Sequence, residues 1–438
     1  MMFVRSGLPT VASVKQSSPA RPSSRSTTTD VLVIGAGAVG AATARSFAAG
    51  GASVTVVDRA SGVGGGCSYA NAGILAPDHV MPLATPALLL EAPVQMLRRP
   101  PAVRVGPARG LGSWLAHLTA SATPARARLL TTRLQDLAHA STRLHVELAE
   151  QGLNPTLRKS GAIEVYLRPT KSSTATDALS PAELHDLEPG LANVVAGFHR
   201  TDEWTVESRS FVQSMLDDAR RHGADVRFST TVGAFVRDGD GRITSVQTDQ
   251  GRVHADHVVL ASGLDSAALA QQVGLTLPIR GGRGYVIDVA GGGDILRTPV
   301  RLKEHRVVVT PLPDRIRVCG SIEFGRESSR PDLDRADSLL RVATRAIPGL
   351  SNLPVIDRWA GERPCTRDGV PAIGMTTAAP NLSIGAGHGM WGLVLAPITA
   401  EVLSRRALTG IVDPALGWLD PDRFTGRAAL RRVGLHRV

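Results

Sequence analysis

Residues Asp30 to Ala60 read DVLVIGAGAVGAATARSFAAGGASVTVVDRA, and the order of residue types in this stretch decides the fold. An apolar run (VLVI) predicts a buried strand, the glycines a turn, the alanine-rich segment a helix, and VTVV a second strand. Gly35, Gly37 and Gly40 occupy G-x-G-x-x-G, and Asp58 closes the second strand 18 residues after Gly40. That interval is near the roughly 20 residues expected for an acid that holds a ribose. Gly35 permits the tight turn, Gly37 lets the backbone approach a pyrophosphate, and Gly40 lets the helix pack closely on the strand, while the helix N-terminus attracts the phosphate charge. The acid disfavours a 2′-phosphate, which leaves NAD and FAD open.

The next segment bears on that choice. A nicotinamide enzyme normally continues into another βαβ unit, whereas this chain inserts SGVGGGCSYANAGILAPDH, Ser61 to His79. Such a loop of glycines and small polar residues can lie along a long, extended cofactor, and FAD needs a second cradle of this kind. Cys67 within it is read as a small residue packed against the cofactor.

With 438 residues and 46.0 kDa the chain can bury two cores. The net charge is +10, carried almost wholly by arginine. Basic stretches such as LRRPPAVRVGPARG lack interleaved aromatics, and aromatic residues make up only 4% of the chain, so base-stacking surfaces and nucleic-acid binding are not expected. Cys67, Cys319 and Cys365 are widely spaced and fit neither a zinc site nor a disulfide framework, so no metal and a reducing compartment are expected. No apolar run reaches the roughly 18 residues that span a bilayer. Residues 1–29, rich in Ser, Thr and Pro and without acids, read as a disordered extension, which places the start of the fold at Asp30.

Beyond the loop, RLLTTRLQDLAHASTRLHVELAEQG spaces Leu134, Leu137, Leu144 and Leu148 as one helical face, with His139 and His145 read as surface or boundary residues. GAIEVYLRP predicts a strand, and Ser180 with Glu183 a capping box. DGDG, Asp238 to Gly241, marks a hairpin, and HVVLASG a buried strand. These would return the chain to the nucleotide unit, with Val232 able to pack on an adenine and Ala261 and Gly263 close to the cofactor. From LPIRGGRGYVIDVA to IRVCGSIEFG the pattern is that of an antiparallel sheet. Near the end, RWAGERPCTRDGVPAIG places Arg363 in a turn stiffened by Pro364 and Pro371, and NLSIGAGHGMWGLVLAPITAEVLSRRALTG reads as strand, glycine turn and a helix starting near Gly392, reset by Pro397.

The fold class is thus α/β and α+β, a Rossmann-like FAD-binding domain with a discontinuous antiparallel-sheet substrate domain. Residues 30–82, 208–275 and 355–412 form the first, 83–207 and 276–354 the second, and 413–438 a C-terminal tail. SYANAG (Ser68 to Gly73), RGYVI around Tyr285, RIRVCGSIEFG, GERPCTRDGVPAIG and GHGMWG (Gly387 to Gly392), taken in order from about Asp30 to Gly410, resemble the FAD-dependent D-amino-acid oxidoreductase superfamily, and within it the D-amino-acid dehydrogenase small-subunit family.

The resemblance implies FAD contacts at Gly35, Gly37, Gly40, Asp58, Arg59, Ser68, Asn71, Ala72, Gly73, Val232, Ala261 and Gly263, and along Gly387, Gly389, Met390, Trp391, Gly392 and Leu393. It implies that Arg363 pairs with the substrate carboxylate, since a planar guanidinium holds a carboxylate bidentately. An ion pair of Arg363 with Asp368 or Glu362 is the competing reading. Tyr285 is a second carboxylate or pocket contact or a buried, satisfied tyrosine, and His388 a base or a residue that shapes its loop. Glu362 and Val286 depart from the family's apolar residue and serine.

The activity so implied is oxidative deamination of D-amino acids to 2-oxo acids and ammonia by hydride transfer from Cα to flavin N5, with electrons passed to a quinone or another respiratory acceptor. A cytoplasmic location follows, with PALLLEAPVQMLRRPPAVRVG available for peripheral contact at the inner face of the cytoplasmic membrane. The alternatives are a glycine- or sarcosine-type amine oxidase that makes hydrogen peroxide and a non-catalytic flavin-binding partner subunit.

Overall fold

The computed structural model describes residues 26–98, 100–170, 172–326 and 329–425. Strands Ser26–Ile34 and Val54–Val57 flank helix Ala38–Ala49, and the two strands pair in parallel. Strand Gly251–Leu260 lies on the other side of Ser26–Ile34, also parallel, and Ala379–Ala386 lies beyond its C-terminal half. The hairpin Val232–Arg237 and Ile243–Thr248 extends this eight-stranded sheet antiparallel.

The period-2 alternation of a strand divides the apolar residues between two faces. Val31 and Val33 pack under helices Ala38–Ala49, Ser208–Arg221 and Ala396–Thr409, while Leu32 and Ile34 pack against Ile243, Val246 and Ala270. Both faces are covered, which is why VLVI and VVL (Val258 to Leu260) are continuous apolar runs. At the first turn Gly35 has φ +105°, and a Cβ on Gly40 would sit 1.8 Å from the Gly35 carbonyl oxygen. The spacing of these glycines therefore reports a backbone-to-backbone contact.

A second eight-stranded sheet runs Val355–Thr366, Ile279–Ala290, Arg315–Phe324, Val307–Pro311, Val300–Leu302, Ala162–Tyr166 and Ala196–Arg200, with Val103–Val105 beside Arg315–Phe324. It is mainly antiparallel. One face buries Tyr285, Ile287 and Val289 under helix Asp334–Ala346 through Ala336, Leu339 and Val342. The opposite face, carrying Gly284 and Val286, looks into a large cavity between the two sheets.

The structure corrects several boundaries. The first strand begins at Ser26, because Ser26 to Thr29 pair with Arg252 to Ala255 before the apolar run starts. The remaining 1–25 of the expected extension and 426–438 of the expected tail lie outside the described residues. Residues 413–425 are not a tail: Trp418, Leu419 and Phe424 enter the cores, and Arg423 pairs with Asp368 at 2.9 Å. Strand Val355–Thr366, placed by sequence in the nucleotide unit, pairs along its length with Ile279–Ala290. Arg363 therefore sits on a strand, not in a turn, and the turn follows at Arg367 to Val370.

The last helix starts at Ala396, four residues beyond Gly392, with Pro397 in its first turn, where a missing N–H costs nothing. His145 is fully buried. Its Nε2 lies 3.0 Å from the Leu393 carbonyl oxygen and its Nδ1 3.2 Å from the Asn154 amide, so it ties the long helix Pro124–Glu150 to the C-terminal loop. Periodicity alone misses this because one polar partner, the Leu393 carbonyl, lies 248 residues away and the other, Asn154, lies past the end of the helix.

Candidate active site

The cavity has a volume of about 740 Å³, within the usual range for small-molecule and cofactor sites. One end is built by the first βαβ turn. The Asp58 carboxylate accepts from Ala36 N at 2.7 Å and from Ala60 N at 2.8 Å, so its two oxygens are held at the rim. Arg59 beside it pairs with Asp265 at 3.0 Å. Val232, Ala261 and Gly263 line this same end, as do Gly35 and Gly37.

The second loop crosses the middle of the cavity. Ser68 Oγ accepts from Ala38 N at 3.0 Å, which closes the loop onto the helix N-terminus, and Asn71 lies alongside. The loop is anchored from the second sheet. Arg317 makes a two-pronged pair with Asp288 at 2.9 and 2.7 Å and donates through Nη1 to the Asn71 carbonyl at 3.1 Å. Ala72 and Gly73 do not line the cavity; the Ala72 carbonyl accepts from Thr310 Oγ1 at 2.6 Å, and Gly73 N donates to Asn71 Oδ1 at 3.0 Å. Gly40 is likewise behind the wall, as its packing role requires.

The far end is walled by Gly387, His388, Gly389, Met390, Gly392 and Leu393 on one side and by Trp359 to Pro364 on the other. Trp391 points away and donates to the Met81 carbonyl at 2.8 Å. The cavity thus runs from an acid that suits a ribose to a basic group at the opposite end. Its glycine-walled surface and the helix N-terminus at Gly37 and Ala38, which lines it, fit FAD, with Gly35, Gly37, Asp58, Ser68, Asn71 and Gly263 placed to hold it.

Arg363 is the basic group. On the strand face that looks into the cavity, Arg363 stands opposite Gly282 and Gly361 opposite Gly284. The guanidinium lies back across the sheet: a Cβ on Gly284 would be 2.2 to 2.4 Å from Nη1, Nη2 and Cζ. Nη1 donates to the Ser321 carbonyl at 3.0 Å, and Ser321 has a left-handed φ of 56° beside an irregularity in the pairing of Arg315–Phe324 with Ile279–Ala290. Among the described residues Arg363 makes no ion pair: Glu362 is engaged by Arg283 at 2.6 Å and Asp368 by Arg423. Both carboxylates of the competing reading are committed elsewhere.

Tyr285 is not in the cavity. Its two neighbours Gly284 and Val286 face it, so a strand's alternation puts the phenol on the opposite face, where its hydroxyl donates to Glu323 at 2.7 Å. Burial, then the Glu323 carboxylate, pushes its pKa up. His388 lines the wall, but its Nε2 lies 3.0 Å from Thr399 Oγ1, and burial lowers its pKa to about 4. It is a neutral residue that braces the loop against the last helix. Burial raises the Cys67 thiol and pushes Cys365 up to about 12, so both stay protonated and neither is a ready nucleophile.

The chain matches the model of the DAO family, FAD dependent oxidoreductase, over residues 30–406. The protein belongs to this family. A D-amino acid dehydrogenase of Paramagnetospirillum magneticum is 32% identical over 425 residues, covering 90% of this chain and 99% of that protein. Another, from Rhodopseudomonas palustris, is 32% identical over 398 residues, covering 85% and 92%. Among solved structures, glycine oxidase from Geobacillus kaustophilus superposes with a TM-score of 0.70 at 22% identity, over 91% of this chain and all 100% of that one. L-proline dehydrogenase from P. horikoshii gives 0.69 at 17%, over 91% and 98%. Membership makes FAD the cofactor.

Sequence reasoning missed Trp359 and the paired glycines Gly284 and Gly361, which shape the far end. A signal existed: GRGYV and WAGER each put a glycine between larger residues in strand-like runs. Their pairing across the sheet could be read only once the register was known.

Proposed function

We propose that the protein oxidises the Cα–N bond of D-amino acids, releasing an imine that hydrolyses to a 2-oxo acid and ammonia, and that its electrons go to a quinone or another respiratory acceptor. One observation carries this reading: Arg363, held over Gly284 by the Ser321 carbonyl, lines the same cavity as Asp58 and, among the described residues, has no carboxylate partner. When bound, FAD supplies the two-electron oxidant. Arg363 holds the substrate's α-carboxylate bidentately, and this orients Cα. His388, neutral above about pH 4, serves as wall and brace. The names of the curated relatives support the substrate class.

The acceptor surface is assigned to helix Pro86–Leu97, which exposes Leu90 at 80% and Leu97 at 84% next to Arg98. Among the described residues no helix is long and apolar enough to cross a membrane; in this reading the exposed leucines make a peripheral contact.

The test is the visible spectrum of the anaerobic holoprotein titrated with D-alanine, L-alanine, glycine and sarcosine, followed by oxygen or a quinone. Bleaching by D-alanine alone supports the reading, and bleaching by glycine or sarcosine transfers it to the amine oxidases. Arg363→Ala should raise KM for D-alanine about tenfold or more with FAD retained. An unchanged KM removes Arg363 from the carboxylate site.

A further inference from the structure

The strand face that carries Arg363 carries a second large side chain. Trp359, Gly361 and Arg363 alternate along one strand and stand opposite Val286, Gly284 and Gly282 on the next. The Trp359 indole lies down over Gly361, where a Cβ would come 1.9 Å from Cη2 and 2.6 Å from Cζ2 and Cζ3. Arg363 lies down over Gly284, the partner of Gly361 across the strands. A guanidinium and an indole therefore lean onto one two-glycine patch, and Trp359 is half-buried and lines the cavity.

The indole is held from behind. Tyr69 packs on it with ring centroids 5.4 Å apart, Tyr69 donates to Asp357 at 2.9 Å, and the Arg209 guanidinium sits 4.5 Å over the Tyr69 ring. Val286 and Ala70 continue the same wall as apolar surface and also line the cavity. A flat, fixed, apolar plate thus lies next to the group assigned to the carboxylate.

We propose that Trp359 determines specificity: with the α-carboxylate on Arg363, the substrate side chain rests on the indole, which selects neutral apolar and aromatic D-amino acids and disfavours acidic ones. This rests on the carboxylate reading of Arg363. An aromatic or branched side chain gains the offset contact that rings favour, while a carboxylate faces the negative π surface of the indole. Arg283 offers it no compensation, because its Nε is 2.6 Å from the Glu362 carboxylate.

The experiment measures kcat/KM of the holoenzyme for D-phenylalanine, D-alanine and D-aspartate, and the binding of phenylacetate relative to acetate by perturbation of the flavin spectrum. The wild type is expected to favour D-phenylalanine over D-aspartate. Trp359→Ala should lower the D-phenylalanine to D-alanine ratio about tenfold, with the phenylacetate to acetate ratio falling in parallel, while Trp359→Phe keeps most of both. Gly361→Ala, which pushes the ring off its seat, should lower the same ratios and add nothing in the Trp359→Ala background. Unchanged ratios in Trp359→Ala overturn the proposal, as do equal losses on both substrates. Arg363→Leu should raise both KM values together and leave the ratio in place. Unchanged KM values in that variant defeat the carboxylate reading, whereas the ratios judge Trp359 separately.

Discussion

Gly284→Ala is the sharpest test of how the site is built. The new Cβ would lie 2.2 Å from Nη1, 2.3 Å from Nη2 and 2.4 Å from Cζ of Arg363. Nonbonded carbon contacts settle near 3.5 to 4.0 Å, so the guanidinium must withdraw by about 1 Å or more. It can do so, because it is the free end of a flexible side chain and the backbone need not move. The displaced group leaves the Ser321 carbonyl, now 3.0 Å away, and loses its alignment to a carboxylate. A hydrogen bond to a charged group contributes about 1.5 to 3 kcal/mol, and a 1 Å misplacement can cost about a hundredfold, so kcat/KM for D-alanine should fall about tenfold to a hundredfold. Stability should hardly change, since alanine is no worse than glycine in a strand. The assay is steady-state kinetics with D-alanine beside the visible spectrum for FAD content and thermal unfolding. If Gly284→Ala keeps the wild-type KM while Arg363→Ala raises it, the guanidinium does not act from its seat over Gly284.

Two further outcomes follow from the buried polar groups. Tyr285→Phe removes the hydrogen bond to Glu323 on the far face of the sheet, and should cost about 1 to 2 kcal/mol in urea unfolding with KM unchanged; a raised KM would return Tyr285 to the site. His145 and His388 are both held near a pKa of about 4 by burial. Between that value and about 6.5 the unfolded chain binds protons the folded chain refuses, so stability is full above about pH 6.5 and falls as the pH drops towards 4, by up to about 3 kcal/mol per histidine. Melting temperatures measured from pH 7.5 to 4.5 should fall less steeply in His388→Gln than in the wild type; parallel curves would mean that His388 does not carry this linkage.

How much of the protein was legible in advance depends on the range of the interaction. The first unit could be read from Asp30 to Asp58 because its constraints are local: Gly35 and Gly40 touch within six residues, and the apolar runs declare strands buried on both faces. The capping box at Ser180 and Glu183 and the hairpin at Asp238 to Gly241 are local in the same way, and both are present. Arg363 was found through resemblance, since no spacing rule connects it to a nucleotide motif more than three hundred residues earlier.

Tertiary structure decided what depends on register and on distant partners. Whether Tyr285 faces the cavity turns on one step of a period-2 strand, and only the pairing of Ile279–Ala290 with Val355–Thr366 assigns Gly284 and Val286 to the inside. The same pairing brings Gly284 opposite Gly361, and so lets a guanidinium and an indole lie on one sheet. His145 and Arg423 became core residues because the Leu393 carbonyl and Asp368 supply their hydrogen bonds. By itself the sequence determined where strands, turns and helices could form, through steric and hydrophobic rules that act within a few residues. The site's shape had to wait for the sheets to close, because a side chain's surroundings are set by whatever segment packs against it.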